Sequence, residues 1–210
     1  GIAWALLELS ALTGEKRYRT AALKAISYER SLFRPEVGNW PDFRNFTDTV
    51  LADKDDRHTC ATAWCHGAPG IGLARLLSLA HLDDDKIRSE INTALHTTLA
   101  HGFGSNHSLC HGDLGNLEFL LQASQILDDS QWKTYVDRLV AIIIESIKQH
   151  CWLCGVPLGV ETPGLMTGLA GIGYQLLRLA EPERVPSVLA LEPPKLISAG
   201  QKTTDWAMAV

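Results

Sequence analysis

Apolar positions recur with helical spacing along almost the whole chain, and they alternate between two kinds of segment. Short, mostly apolar helices are expected at residues 2–12, 71–82, 116–127 and 169–179. Longer and more polar amphipathic helices follow the first three of them, at residues 15–34, 84–99 and 130–149. Convincing strand alternation is absent. The pattern predicts an all-α protein whose apolar helices form an inner layer and whose amphipathic helices form an outer layer, as in helical solenoids and α/α barrels.

The predicted apolar helices share an entry signal of two glycines three residues apart. These pairs are Gly67/Gly70, Gly112/Gly115 and Gly168/Gly171, and Gly1 resembles the second glycine of a fourth copy. A small residue at a helix start allows another part of the backbone to approach closely. Because such a pair most often serves helix packing alone, the repeat by itself assigns no activity.

Irregular segments separate these helices. Residues 35–59 form the longest predicted loop, and loops of this length are more often functional than idle. Residues 102–109 and 150–163 form shorter loops. The chain becomes rich in proline after Glu181 and polar from Ala199. We therefore expect one domain over residues 1–194 and a C-terminal tail over residues 195–210.

Composition narrows the class of protein. The 210 residues are 46% hydrophobic and 20% charged, which is typical of a globular domain with a sizeable core. The net charge is −5 and no Lys/Arg block occurs, which argues against nucleic acid or an anionic membrane as the main partner. The longest apolar run, residues 139–144, is too short to span a bilayer. No signal peptide opens the chain, so a cytoplasmic location is expected.

Two near-identical phrases contain the most informative chemistry. WCHGAPG (residues 64–70) contains Cys65, and LCHGDLG (residues 109–115) contains Cys110 and His111. The cysteines are 45 residues apart, and each precedes an apolar helix. Two thiols and one imidazole on a repeated template form a three-ligand set for zinc with an open fourth position. Such a zinc would bind and activate an incoming thiol.

The other cysteines and His66 allow more than one interpretation. The odd total of five cysteines fits free thiols in a reducing compartment. Cys60 is expected to be a small buried hydrophobe. His66 is either an acid–base or supporting group at the metal or a packing and capping residue. The pair Cys151 and Cys154 is expected to be structural, because the redox use of CxxC needs a βαβ context that the pattern does not show.

Several other polar residues are expected to have ordinary roles. Three lone histidines, His58, His107 and His150, are expected to be solvated. The acidic run Asp53, Asp55 and Asp56 is expected to form a solvent face. Asp113 falls in the first turn of its helix, where the helix dipole favours an acidic side chain.

Taken together, the two phrases resemble the zinc motifs of LanC-type lanthionine cyclases. The segments GIAWALLEL (residues 1–9) and GNWPD (residues 38–42) are similar to the same family. Residues 160–194, which include ETPGLMTG, VPSV and LEPP, resemble the extreme C-terminus of bifunctional class II lanthipeptide synthetases, the LanM type. The resemblance covers nearly the whole chain.

This resemblance implies a toroid of two concentric helical layers around a zinc ion held by Cys65, Cys110 and His111. The implied reaction is a Michael-type addition in which a peptide cysteine attacks dehydroalanine or dehydrobutyrine and forms a thioether ring. A general acid then protonates the resulting enolate. The implied partners are a ribosomally made precursor peptide with its leader and dehydrated core, a dehydratase domain, and the first half of the toroid. The implied location is the bacterial cytoplasm.

The chain also departs from the family pattern. LanC-type domains are longer, and the histidine of their Ser-His-Gly segment would fall before Gly1. The missing Met and the abrupt start lead us to expect part of a longer protein, with an exposed apolar face and no cyclase activity in isolation. His66 is then the best acid–base candidate within the chain. Two other interpretations stay open: a zinc module that binds glutathione or a peptide cysteine without ring chemistry, and a metal-free helical scaffold.

Overall fold

The structure is a computed structural model that describes residues 1–43 and 60–194. These residues form seven α-helices, a 3₁₀ turn at Pro157–Gly159 and no β-strand, which confirms the all-α prediction. The helices are α1 (Ile2–Thr13), α2 (Lys16–Ser31), α3 (Ala68–Ser78), α4 (Asp85–His101), α5 (Asp113–Ile126), α6 (Ser130–His150) and α7 (Leu169–Ala180). No helix within these ranges is long and apolar enough to cross a membrane.

The helices pack as successive pairs. Helix α1 packs on α2, α3 on α4 and α5 on α6, while α1, α3 and α5 follow one another along a second line of contacts. Helix α5 lies deepest, with every residue from 113 to 123 buried, whereas most of α6 is exposed. The predicted alternation of inner apolar and outer amphipathic helices is therefore confirmed as part of an α/α toroid.

Two inner helices begin earlier than the apolar pattern predicts. Helices α3 and α5 begin at Ala68 and Asp113 rather than at residues 71 and 116, because the first glycine of each pair is the N-cap. The apolar run therefore starts one turn inside each helix. Helix α2 ends at Ser31 rather than residue 34, since Arg34 pairs with Asn39 in a turn.

The contact between α3 and α5 is apolar and close. A Cβ atom at Gly72 would overlap the ring of Phe119, which is fully buried. Glycine at this position therefore lets the two helices approach without displacing the largest hydrophobic side chain of α5.

The contact between α5 and α7 contains a buried ion pair instead. Arg178 Nε lies 2.9 Å from both carboxylate oxygens of Glu118, and both side chains are almost completely buried. Gln122 and Gln175 also donate to Glu118, at 3.0 and 2.6 Å. Arg178 further donates to the Val185 carbonyl at 2.6 Å, so the network fixes the proline-rich segment after α7.

Some predictions fall outside the described residues. These are the solvent face formed by Asp53, Asp55 and Asp56, the solvated His58, and the tail over residues 195–210. They stay predictions, as does the single domain over residues 1–194.

Candidate metal centre

The structure brings the three predicted ligands together. Cys65 Sγ, Cys110 Sγ and a ring nitrogen of His111 all lie within 4.8 Å of one another. Zinc bonds of about 2.3 Å to sulfur and about 2.0 Å to nitrogen require donors roughly 3.5–4 Å apart in a tetrahedron. The thiol and imidazole donors therefore fit zinc after small side-chain adjustments. Both cysteines are half-buried and His111 is exposed, so one side of the cluster faces solvent.

The backbone explains how thiols 45 residues apart meet. Cys65 and Cys110 each lie two residues before the N-cap glycine of an inner helix, and Met166 holds the same position before α7. The Cys65 N–H donates to the Cys110 carbonyl at 3.2 Å, and the Cys110 N–H donates to the Met166 carbonyl at 2.8 Å. We call the three segments 64–70, 109–115 and 165–171 the entry phrases. The same hydrogen bond joins each entry phrase to the next.

The second glycine of each entry phrase is a packing requirement. A Cβ atom at Gly70, Gly115 or Gly171 would overlap the carbonyl oxygen of the residue six positions earlier. These oxygens belong to Trp64, Leu109 and Leu165. Because a main-chain oxygen cannot rotate away, only glycine fits there. The predicted close backbone approach is confirmed in all three copies.

Asn39 fixes the entry to α3. Its side chain is buried and uses all four of its hydrogen bonds. Oδ1 accepts from the backbone N–H groups of Trp40 at 2.8 Å and Ala68 at 2.7 Å. Nδ2 donates to the Ala61 carbonyl at 3.1 Å and Thr62 Oγ1 at 3.2 Å. The segment 38–42 is thereby fastened to the residues just before Cys65, a role that the sequence did not reveal.

Asn116 fastens the same approach segment to α5. Its Nδ2 donates to the carbonyls of Thr62 at 3.0 Å and Gly102 at 2.7 Å. Sequence reasoning missed this residue, although an asparagine inside an apolar helix start was an available signal. The two asparagines together hold residues 61 and 62 from opposite sides.

The loop before Cys110 is held by its own polar side chains. The Asp113 carboxylate accepts from the N–H groups of Gly104 at 3.0 Å and Ser105 at 3.2 Å, and it lies in the first turn of α5 as predicted. Burial raises the pKa of the Asp113 carboxyl, and the two backbone hydrogen bonds oppose that shift. Asn106 Oδ1 accepts from the Ser108 N–H at 3.0 Å.

His66 lies beside a buried carboxylate. Its Nδ1 is 3.7 Å from Asp42 Oδ2, too far for a hydrogen bond but close enough for charge interaction. The His66 side chain is 33% exposed, whereas that of Asp42 is 2% exposed. The His66 ring is thus partly accessible to solvent and lies beside the buried Asp42 carboxylate. Its function stays a prediction.

The remaining histidine and cysteine predictions have mixed outcomes. His107 was expected to be solvated, and this is wrong: it is buried, with Nε2 3.0 Å from Ser146 Oγ and Nδ1 accepting from the Leu153 N–H at 3.1 Å. Packing of the loop after α6 against the loop before Cys110 covers it. His150 is exposed as predicted. Cys60 is half-buried rather than buried, while Cys154 is buried and Cys151 exposed.

Two cavities lie next to the ligands. One of about 340 Å³ is lined by Trp64, Cys65 and His66 together with apolar side chains of α3. The other, of about 400 Å³, is lined by His111 and residues 153–159. Both volumes are in the range of small-ligand sites. Space for a small ligand therefore exists beside Cys65 and beside His111.

Comparison with known proteins gives a consistent result. A family model described as "Lanthionine synthetase C-like protein" matches residues 1–190. The "Lacticin 481/lactococcin biosynthesis protein LcnDR2" of Lactococcus lactis subsp. lactis is 28% identical over 152 residues. That alignment covers 64% of this chain and 16% of LcnDR2, so the chain spans less than a fifth of this relative.

Proposed function

The chain belongs to the lanthionine synthetase C-like family, and from this premise we propose that it is the C-terminal part of a zinc-dependent lanthipeptide cyclase domain. The parent would be a class II synthetase of the LanM type. The observation that carries the proposal is the cluster of Cys65, Cys110 and His111 within 4.8 Å at the mouths of two inner helices. The printed name of the relative, a biosynthesis protein for lacticin 481, supports the same class of product.

The ligands suit activation of a thiol. Cys65 and Cys110 supply sulfur donors that face the N-termini of α3 and α5, where the helix dipoles favour negative charge. His111 supplies the third donor and leaves the solvent side open. A zinc ion bound there would lower the pKa of an incoming cysteine thiol and keep it as a thiolate near neutral pH.

The reaction that follows is a conjugate addition within one peptide. The cysteine sulfur attacks the β-carbon of dehydroalanine or dehydrobutyrine, and a carbon–sulfur bond forms. The π electrons of the alkene move toward the adjacent carbonyl and give an enolate, which takes up one proton at the α-carbon. We assign the proton donor to His66, because its ring is solvent-accessible and Asp42 lies 3.7 Å from it.

The substrate in this proposal is a precursor peptide with a leader and a dehydrated core. The cavities beside Cys65 and beside His111 offer space for parts of the peptide next to the predicted ligands. The dehydratase domain and further helices of the toroid would be supplied by the rest of the parent protein, in the bacterial cytoplasm.

Metal content tests the first half of the proposal. We expect about one zinc per chain by elemental analysis and none after Cys110→Ala. Cys151→Ala is the matched control, because this exposed cysteine lies outside the cluster and its loss should leave zinc unchanged. Zinc retained in full by Cys110→Ala, or absent from the wild type, would refute the site.

Ring formation tests the second half. The parent protein is incubated with a dehydrated precursor, free thiols are alkylated, and the products are read by mass spectrometry. We expect unalkylated thioether rings with the wild type and alkylated thiols with Cys110→Ala. Tight binding of glutathione or peptide cysteine without any ring formation would instead identify a thiol-binding module.

A further inference from the structure

Ser108 carries a buried hydroxyl that the structure does not otherwise explain. Its side chain is fully buried, and Oγ has no hydrogen-bond partner. A buried hydroxyl without a hydrogen-bond partner lowers stability, so its presence needs a reason. Among the unpartnered polar atoms within the described ranges, this one lies against a predicted metal ligand.

Gly155 shows how close the hydroxyl is to His111. A Cβ atom at Gly155 would overlap Ser108 Oγ and would lie 2.9 Å from His111 Nε2. Both atoms therefore line the same small space beside the Gly155 backbone. The arrangement leaves room for a hydrogen atom at residue 155 and for nothing larger.

The surrounding backbone is firmly held. The Gly155 N–H donates to the Thr167 carbonyl at 2.8 Å. The Ser108 N–H donates to Asn106 Oδ1 at 3.0 Å, and the Ser108 carbonyl accepts from the Gly115 N–H at 3.2 Å. Only the Ser108 side chain and the His111 ring are left to adjust. A hydrogen bond between them requires one or both of these side chains to rotate, because Oγ has no partner in the structure.

We propose that Ser108 is a positioning residue for the metal centre, whose Oγ accepts a hydrogen bond from Nε2–H of His111. This bond holds the proton on Nε2 and so presents the lone pair of Nδ1 to the metal. Hydrogen-bond partners of this kind fix the ring orientation and tautomer of metal-binding histidines. Gly155 supplies the space in which the bond forms. The inference rests on the proposed zinc site and deepens it.

A positioning role and a structural role predict different results for Ser108→Ala. Since Oγ has no hydrogen-bond partner among the described residues, its removal breaks no hydrogen bond within them. The metal-free protein should unfold at the same urea concentration or slightly higher. Zinc affinity should fall by roughly 10–100-fold, the usual effect of losing such a partner.

The experiment measures zinc affinity and metal-free stability side by side in the protein that carries this chain. Zinc affinity is measured by competition with a chromophoric chelator, and cobalt(II) absorption reports ligand geometry. Ser78→Ala is the matched control, because its buried hydroxyl donates to Ala74 at 2.7 Å near the far end of α3. It should unfold at a lower urea concentration, because a hydrogen bond is lost, and keep its zinc affinity.

A double-mutant cycle completes the test. Ser108→Ala should have no further effect on metal affinity in the background of His111→Cys, which keeps three metal donors but removes the imidazole that Ser108 positions. Equal zinc affinity in Ser108→Ala and wild type would overturn the inference, and so would a loss of affinity matched by an equal loss of metal-free stability. Absence of zinc from the wild type would instead overturn the proposed metal site itself.

Discussion

The three entry phrases have the same backbone, but only two of them carry a predicted metal ligand. Cys65, Cys110 and Met166 occupy equivalent positions, and the same N–H to carbonyl bond joins each phrase to the next. The same glycine also approaches the same carbonyl in each copy. The third phrase reaches this geometry without a thiol, so the metal does not create it. The helical repeat is a scaffold, and the chemistry lies in the side chains placed on it.

The contacts between neighbouring inner helices, which we call seams, differ as well. The α3–α5 seam is apolar, with Gly72 against the Phe119 ring, and the cysteines of its two phrases lie at one end. The α5–α7 seam contains the buried pair of Glu118 and Arg178. A metal ion would therefore cross-link the first seam alone. The position of α7 depends on a charge network instead.

The largest expected effect comes from comparing Cys65 with Met166, which hold equivalent positions in two entry phrases. Cys65→Ala should abolish stoichiometric zinc binding, because two donors remain of a set that needs three protein ligands. Met166→Ala, at the same position in the third phrase, should keep full zinc content and lose about 1–2 kcal/mol of packing. Elemental analysis and urea unfolding of both variants decide the question. Loss of zinc from Met166→Ala would show that the third phrase takes part in metal binding.

Breaking the α5–α7 seam should affect stability and leave the metal in place. Glu118→Gln removes the buried carboxylate of the pair and leaves Arg178 only the Glu192 carboxylate, 3.6 Å away, so it should cost about 3 kcal/mol, the lower end for a broken buried pair. Zinc content of the folded fraction should not change. Glu145→Gln is the control, since this glutamate is exposed on α6 and its loss should cost under about 0.5 kcal/mol. A loss below about 1 kcal/mol for Glu118→Gln would contradict the assigned importance of the pair.

The close approach in the third phrase can be tested with two glycines of one helix. Gly171→Ala places a methyl group on the Leu165 carbonyl and should cost about 1–3 kcal/mol. Gly173→Ala, where a Cβ meets nothing within 4 Å, should be neutral or stabilise by up to about 1 kcal/mol. Thermal unfolding of both variants compares them directly. Equal effects at the two positions would remove the argument for backbone contact.

The smallest expected effect concerns acid stability. Burial lowers the pKa of His107, an effect that nearby His150 reinforces and Asp113 opposes. The unfolded chain therefore takes up a proton below about pH 6.5 while the folded chain does not, so stability is present above that pH and lost below it. His107→Asn keeps an acceptor for Leu153 and should flatten this dependence in the metal-free protein.

The control for this measurement is His101→Asn, which changes an exposed histidine at the end of α4 that is not among the groups acting on His107. Three residues before Cys65 and Met166 the chain has Thr62 and Pro163, so the histidine contribution should come only from the segment before Cys110. An unchanged pH profile in His107→Asn would assign the sensitivity to other groups.

The correct sequence predictions rested on patterns among residues close together in the chain. Helical periodicity depends on residues three or four apart, so the alternation from α1 to α7 was visible in the chain. The proximity of Cys65, Cys110 and His111 could be predicted because the CHG phrase occurs twice before an apolar helix. Helix starts were less accurate, since the N-cap glycines precede the apolar runs that define the pattern.

Contacts between distant residues could not be predicted. His107 looks like a solvated histidine until residues 146 and 153 pack over it. Glu118 and Arg178 are 60 positions apart, and neither has a neighbour in sequence that indicates a buried pair. Asn39 likewise gains its role only when residues 61 and 68 arrive beside it.

The fixed length of the entry phrases has a consequence for how such a chain can grow. The N-cap glycines are 45 residues apart from Gly67 to Gly112 and 56 apart from Gly112 to Gly168, while spacing within each phrase does not vary. The additional length lies outside the phrases, where loop extension is thermodynamically mild. One residue inserted between Cys110 and Gly112 would instead turn the Cys110 side chain away from the cluster. The connections between copies can therefore be lengthened, whereas the seven-residue entry phrases must keep their length.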